Sequence, residues 1–168
     1  MADIDSSLLL FTKEVKKDVT VCLSGEFADE IFCGYPWFYL EESKAAKTFP
    51  WAINLELREN TAAENLRKKL DLQNFVEKNY KKALKKAPIS QFDDLEDKNM
   101  KIFSYLTMSY FGLNLLERTD RTSMQNGMEV RVPFTDYKFV EYVYNIPWKM
   151  KNYGGQEKGI LRKAFADA

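Results

Sequence analysis

The chain is 168 residues long, 45% hydrophobic and 30% charged, which is a globular composition with enough length for a sizeable core. Its 25 basic and 25 acidic residues cancel, so composition gives no support to a polyanion-binding role. There is no histidine and there are only two cysteines, Cys22 and Cys33, which excludes Ser-His-Asp and Cys-His triads, histidine or Cys-rich zinc sites and a disulfide framework.

The acidic start, Met1 to Asp5, lacks the basic end and apolar run of a secretory signal. No stretch approaches the ~18 apolar residues of a membrane span. A reducing, cytoplasmic compartment is the expectation. In chain order, Ile4, Leu8, Phe11 and Val15 predict an amphipathic helix that buries this stripe, with Asp3 or Asp5 as its cap. Val19 to Leu23 is short and β-branched and predicts a buried strand of parallel type running into Ser24-Gly25. A helix over about 27–33 follows, closed by Gly34 and Pro36. Residues 64–86 predict a long amphipathic helix, broken near Asp71, whose apolar face includes Leu72, Phe75, Val76 and Tyr80. Its lysine-rich outer face lacks interleaved aromatics and reads as a solvated surface, not a nucleic-acid stripe. Residues 99–117 are apolar nearly all round, as in a buried helix. Asp136 caps another helix that ends before Pro147, and a last helix spans about 156–166. The fold class is therefore mostly α with one short parallel-type strand. No second strand is evident, so the first is left without a partner for its backbone groups.

Two segments carry candidate chemistry. In the first, the strand delivers Ser24 and Gly25 to its carboxyl end, where open α/β sheets bind ligands, and the following helix start favours phosphate or carboxylate groups. Glu26, Asp29 and Glu30 lie three and four residues apart, close enough to need a positive partner, for which Mg2+ is suited. The plainer alternative is a set of acids stabilising a helix N-terminus. In the second segment, Arg118, Arg121 and Arg131 alternate with Asp120, Glu129 and Asp136, as in a salt-bridged turn between helix caps. Asp5-Ser6-Ser7 lacks the glycines of a pyrophosphate-binding Ser-Gly-Gly-x-Asp-Ser loop and reads as a helix start.

Together the two segments resemble the synthetase domain of glutamine-dependent asparagine synthetase. That family carries Ser-Gly-Glu-Gly-Ala-Asp-Glu-Ile-Phe-Gly-Gly-Tyr, which corresponds to Ser24–Tyr35 with Phe27 and Cys33 in place of two glycines. It also carries Arg-x-Asp-Arg-x-Ser-Met followed by Gly-x-Glu-x-Arg-x-Pro-Phe-x-Asp, matched over Arg118–Asp136, and an ending like Ile146-Pro147…Lys158…Leu161-Arg162. The resemblance implies an α/β adenine-nucleotide hydrolase-like fold of the pyrophosphate-loop type. It implies activation of aspartate by ATP and Mg2+ to β-aspartyl-AMP, with ammonia supplied by a glutaminase domain. Ser24 and Gly25 would then meet the adenylate, Glu26 would act in forming or resolving it, and Asp29 would help hold Mg2+ and pyrophosphate.

An inward-pointing Phe27 would narrow the pocket, which admits a related acyl-adenylating enzyme such as a β-lactam-forming synthetase. The glutaminase domain, the pyrophosphate loop with its preceding strands, and a later family lysine are not among these residues. The resemblance therefore implies one partial synthetase domain over 1–168, inactive by itself, and leaves a non-catalytic helical binding module as a third reading. The lone strand implies that its sheet lies elsewhere, or that two copies pair as a homodimer.

Overall fold

The computed structural model describes residues 4–167. In chain order the elements are α1 (Ile4–Val15), β1 (Val21–Leu23), α2 (Ala28–Phe32), α3 (Glu41–Ala45), α4 (Leu55–Asn60), α5 (Glu64–Arg67), α6 (Leu72–Leu84), α7 (Leu95–Leu106), α8 (Leu113–Gln125), β2 (Glu129–Arg131), α9 (Tyr137–Tyr144), α10 (Trp148–Lys151) and α11 (Gly159–Ala164). A π-helical turn, Thr107–Gly112, lies between α7 and α8. Two compact units result, residues 4–34 with 107–167 and residues 35–106. Among the described residues no helix is long and apolar enough to cross a membrane.

In the first unit the strand does have a partner. β1 pairs in parallel with β2, with Val21 opposite Glu129, Cys22 opposite Val130 and Leu23 opposite Arg131. The expectation of an unpartnered strand is therefore wrong. β2 is three residues long and two are charged, so it carries no apolar signal and resembles a salt-bridged turn. Its ladder is made by backbone groups, which are indifferent to side-chain polarity. Nor is β1 buried: Val21 is 39% and Leu23 74% exposed.

The face that α1 buries also differs from the predicted stripe. Ile4 and Phe11 are exposed, and the buried residue of the helix is Thr12. Its hydroxyl donates to Leu9 O (3.1 Å) and accepts from Asn126 Nδ2 (2.8 Å), which also donates to Leu9 O (2.8 Å). α1 thus packs on α8 beside a small polar contact between Thr12 and Asn126, the residue that follows α8. Hydrogen-bonded polar groups of this kind are compatible with burial, but hydropathy spacing does not register them. Of the two proposed caps, Asp3 lies outside the described residues and Asp5 lies within the first turn of the helix.

The apolar core of this unit gathers Ile31, Phe32 and Val143, with Phe27, Phe134, Phe139 and Ile160 packed against it. The Phe32 ring meets Phe134 edge-on at 6.1 Å. Asp136 caps α9 by accepting from the Lys138 and Phe139 amides, as its position predicts.

In the second unit, the predicted long helix divides where expected. Asp71 accepts from the Asn74 amide and starts α6 afresh. Phe75 is 66% exposed, so it leaves the predicted face, while Ala83 is fully buried. Phe38 and Phe103 pack edge-on, and Phe49 meets Tyr80 in the same way. The nearly enclosed pair Lys101–Asp93, 2.7 Å apart, ties α7 to its preceding turn. Lys101, followed by the Ser90 amide, holds the Asp93 carboxyl below its usual range.

Two motif positions are held in a left-handed backbone. Phe27 precedes α2 with φ 70° and Cys33 follows it with φ 59°. These are the two of the motif's four glycine positions that this chain replaces, and glycine adopts this conformation without the ~1–2 kcal/mol cost of a Cβ. At Cys33 this reverses the usual order of glycine and alanine. Cys33→Gly should be more stable than Cys33→Ala by about 1 kcal/mol, measured by urea unfolding. Alanine as stable as glycine would show that the position is unstrained.

Candidate active site

The site is built from the turn that follows β1. Ser24 N–H donates to Arg131 O (2.9 Å), which extends the β1–β2 ladder by one bond. The Ser24 hydroxyl accepts from the Glu26 amide (3.2 Å) and closes a tight turn. Gly25 is exposed at its tip, and a side chain there would meet nothing within 4 Å. Ser24 and Gly25 thus form an open shelf at the carboxyl end of β1.

The three carboxylates do not share a helix face. The helix begins at Ala28, after the left-handed turn at Phe27, so Glu26 lies outside it and the helical three- and four-residue spacings do not apply. Glu26 turns towards α8, where the Thr119 hydroxyl donates to Oε1 (2.7 Å). Its other oxygen, Oε2, is buried with no hydrogen-bond partner among the described residues. Asp29 turns towards the start of α11, where Lys158 Nζ lies 2.7 Å from Oδ1. Glu30 is fully buried with its stem against the π-helical turn, since a Cβ on Gly112 would come within 2.9 Å of its Cγ. Among the described residues no three acidic or cysteine side chains converge as a metal site would require. With only five residues in α2, the macrodipole contributes little to binding an anion.

Phe27 does not narrow this shelf. Its ring packs on the Ile31–Phe32–Val143 core and lies against Gly112, where a Cβ would approach Cε2 to 2.6 Å. The bulky residue is therefore a core residue on a strained backbone.

The arginine segment separates into two local pairs and one longer contact to α1. Arg121 pairs with Glu117 on α8, Arg131 Nε with Glu129 Oε1 (2.7 Å) and Arg118 Nε with Asp5 Oδ1 at 3.8 Å. Asp136 serves as the cap of α9, and Asp120 is exposed on α8. The segment's direct contribution to the site is instead Thr119, the unremarked residue between Arg118 and Asp120.

Lys158, Thr119 and Gly34 are the residues that motif reasoning left without a role in the site. A signal existed for Lys158 in the matched ending. Gly34 matches a motif glycine and was expected only to close the helix; its absent side chain instead makes room for Asp29, since a Cβ there would stand 1.8 Å from Oδ1.

The family model for asparagine synthase matches residues 1–168. The chain is 49% identical over 165 residues to asparagine synthetase [glutamine-hydrolyzing] 3 of Bacillus subtilis (strain 168), covering 98% of this chain and 26% of that protein. It is 29% identical over 188 residues to asparagine synthetase [glutamine-hydrolyzing] 1 of the same organism, covering 94% and 29%. The human asparagine synthetase [glutamine-hydrolyzing] is 42% identical over 52 residues, 30% of this chain and 9% of that protein. The chain thus spans between a quarter and a third of the length of the two Bacillus subtilis relatives.

Proposed function

The chain belongs to the asparagine synthase family, and from that premise we propose that it carries the acyl-adenylate side of an ATP-dependent ligase site that converts aspartate to asparagine. The supporting observation is the disposition of Ser24–Glu26 at the carboxyl end of β1. An open two-residue shelf stands beside the half-buried Glu26, whose carboxyl group has one oxygen held by Thr119 and the other buried with no partner among the described residues. A buried acceptor left unsatisfied is costly, and such costs are retained where a ligand uses the group.

Ser24 and Gly25 present the turn to the adenylate. Glu26 acts on the reacting centre as β-aspartyl-AMP forms or is resolved by ammonia, which a glutaminase domain supplies. Asp29, with Oδ1 on Lys158, keeps Oδ2 for the pyrophosphate side. Oxygen donors of this kind fit Mg2+, which takes few protein carboxylates and completes its shell with water and phosphate oxygens. When bound, the ion neutralises charge on the departing pyrophosphate. The parallel pairing of β1 and β2 supports an adenine-nucleotide hydrolase-like fold. The exposed Val21 and Leu23 support burial of this face against further protein, a second copy included. Two cysteines in no disulfide suit a reducing, cytoplasmic compartment.

The direction of the Phe27 ring weighs against an altered acceptor pocket of the β-lactam-forming kind. ATP–pyrophosphate exchange by the complete native polypeptide is the decisive assay. Exchange that needs both aspartate and Mg2+ is expected. Exchange driven by another amino acid in place of aspartate would replace the substrate, and no exchange with any would leave a binding module.

A further inference from the structure

We infer that Lys158 is the positioning residue for Asp29, and that the backbone around the pair is built to hold it. The inference rests on the reading of Asp29 as a site carboxylate.

Among the described residues, three that are not glycine have positive φ: Phe27, Cys33 and Lys158. All three attend Asp29. Phe27 and Cys33 bracket the five-residue helix that carries it, and Lys158 Nζ reaches its Oδ1 at 2.7 Å across 129 positions of sequence. Packing in the core accounts for Phe27. Lys158 is not part of that core; its φ is 54° and its side chain makes no cap bond to the helix it precedes.

Two glycines complete the arrangement. Gly159 lies so close to Tyr153 that a Cβ would stand 2.2 Å from its carbonyl oxygen and 2.6 Å from its nitrogen, which fixes where the backbone of Lys158 runs. On the other side, a Cβ on Gly34 would stand 1.8 Å from Asp29 Oδ1 and 3.1 Å from Lys158 Cδ. Gly34 has no left-handed φ, so it is needed here for space. The ion pair occupies the place of its missing side chain.

Stability does not explain the expense. The pair is 26% and 37% exposed, and a pair so solvated returns less than a left-handed lysine costs. Strain retained without a return in stability marks a functional site. Asp29 also stands between Glu26 and Glu30 in sequence, and Lys158 brings the positive charge that keeps its carboxylate in one orientation.

The test compares Lys158→Met, Lys158→Arg and Gly34→Ala in the complete native polypeptide. Lys158→Met should lower kcat for asparagine formation about 10- to 100-fold, in the manner of a lost orienting partner, with KM for aspartate and the thermal midpoint little changed. Lys158→Arg should recover most of the loss. Gly34→Ala should reproduce it with Lys158 intact, because the new methyl displaces Asp29. A Lys158→Met enzyme within about twofold of wild type overturns the inference alone. So does a loss that tracks a lowered thermal midpoint and is not recovered by arginine. A wild-type protein without aspartate-dependent activity overturns the underlying reading, and the inference with it.

Discussion

Glu26→Gln is expected to lower kcat for asparagine formation by about 100- to 10,000-fold, the range for removing a group that takes or gives a proton at the reacting centre. The substitution keeps shape and size. Glutamine can still accept the Thr119 hydroxyl bond that now ends on Oε1 at 2.7 Å, so the turn should stay in place. What is lost is the acid–base capacity of the carboxyl group and the acceptor at Oε2, which is buried without a partner among the described residues. Glutamine exchanges the unpartnered acceptor for an unpartnered NH2 donor, each costing about 1–3 kcal/mol, so the glutamine protein should be about as stable as wild type. The combined result is the diagnostic one: activity collapses while the thermal midpoint holds. Steady-state kinetics and a thermal melt on the same preparation check it. A loss below about tenfold would remove Glu26 from the chemistry.

Gly159→Ala is expected to be the most destabilising single methyl in the first unit. Its Cβ would be 2.2 Å from Tyr153 O, 2.6 Å from Tyr153 N and 2.9 Å from Tyr153 C, all backbone atoms. A side-chain end can swing aside, but here either the loop before α11 or the helix itself must move. Overpacking of this kind costs about 3 kcal/mol, which lowers the midpoint of a domain this size by roughly 6–12 °C. The contrast with Gly34 is informative. There the nearest atom is the end of the Asp29 side chain, so alanine should cost little stability and much activity. Chemical unfolding of the two alanine variants side by side separates the effects. Equal stabilities would mean that the loop at Tyr153 yields.

Much of the secondary structure could be read from local chemistry. Asp136 announced the start of α9 and accepts the amide bonds expected of a cap, and the break expected near Asp71 is where that residue caps α6. The polar outer face of α6 is solvated, as its lysines implied. The Ser24–Tyr35 segment lies at the end of a strand of parallel type, also as its composition implied. Two of the four positions where the resembled motif has glycine are where the backbone turns left-handed, and this chain fills those two with Phe27 and Cys33.

What could not be read was decided through space. β2 was hidden because Glu129 and Arg131 are charged, and its pairing with β1 joins residues more than a hundred positions apart. Thr12 is buried because Asn126 comes to meet its hydroxyl, which no spacing of apolar residues along α1 could reveal. The acids at 26, 29 and 30 point to three different neighbours because the helix starts only at Ala28. By itself, then, the sequence determined the cap at Asp136, the strand-to-turn motif and the family, since these depend on groups within a few bonds of one another or on residue order alone. Only the tertiary structure decided that Glu26 answers to Thr119 and Asp29 to Lys158, because a carboxylate's partner is set by which distant side chain packing brings within 3 Å.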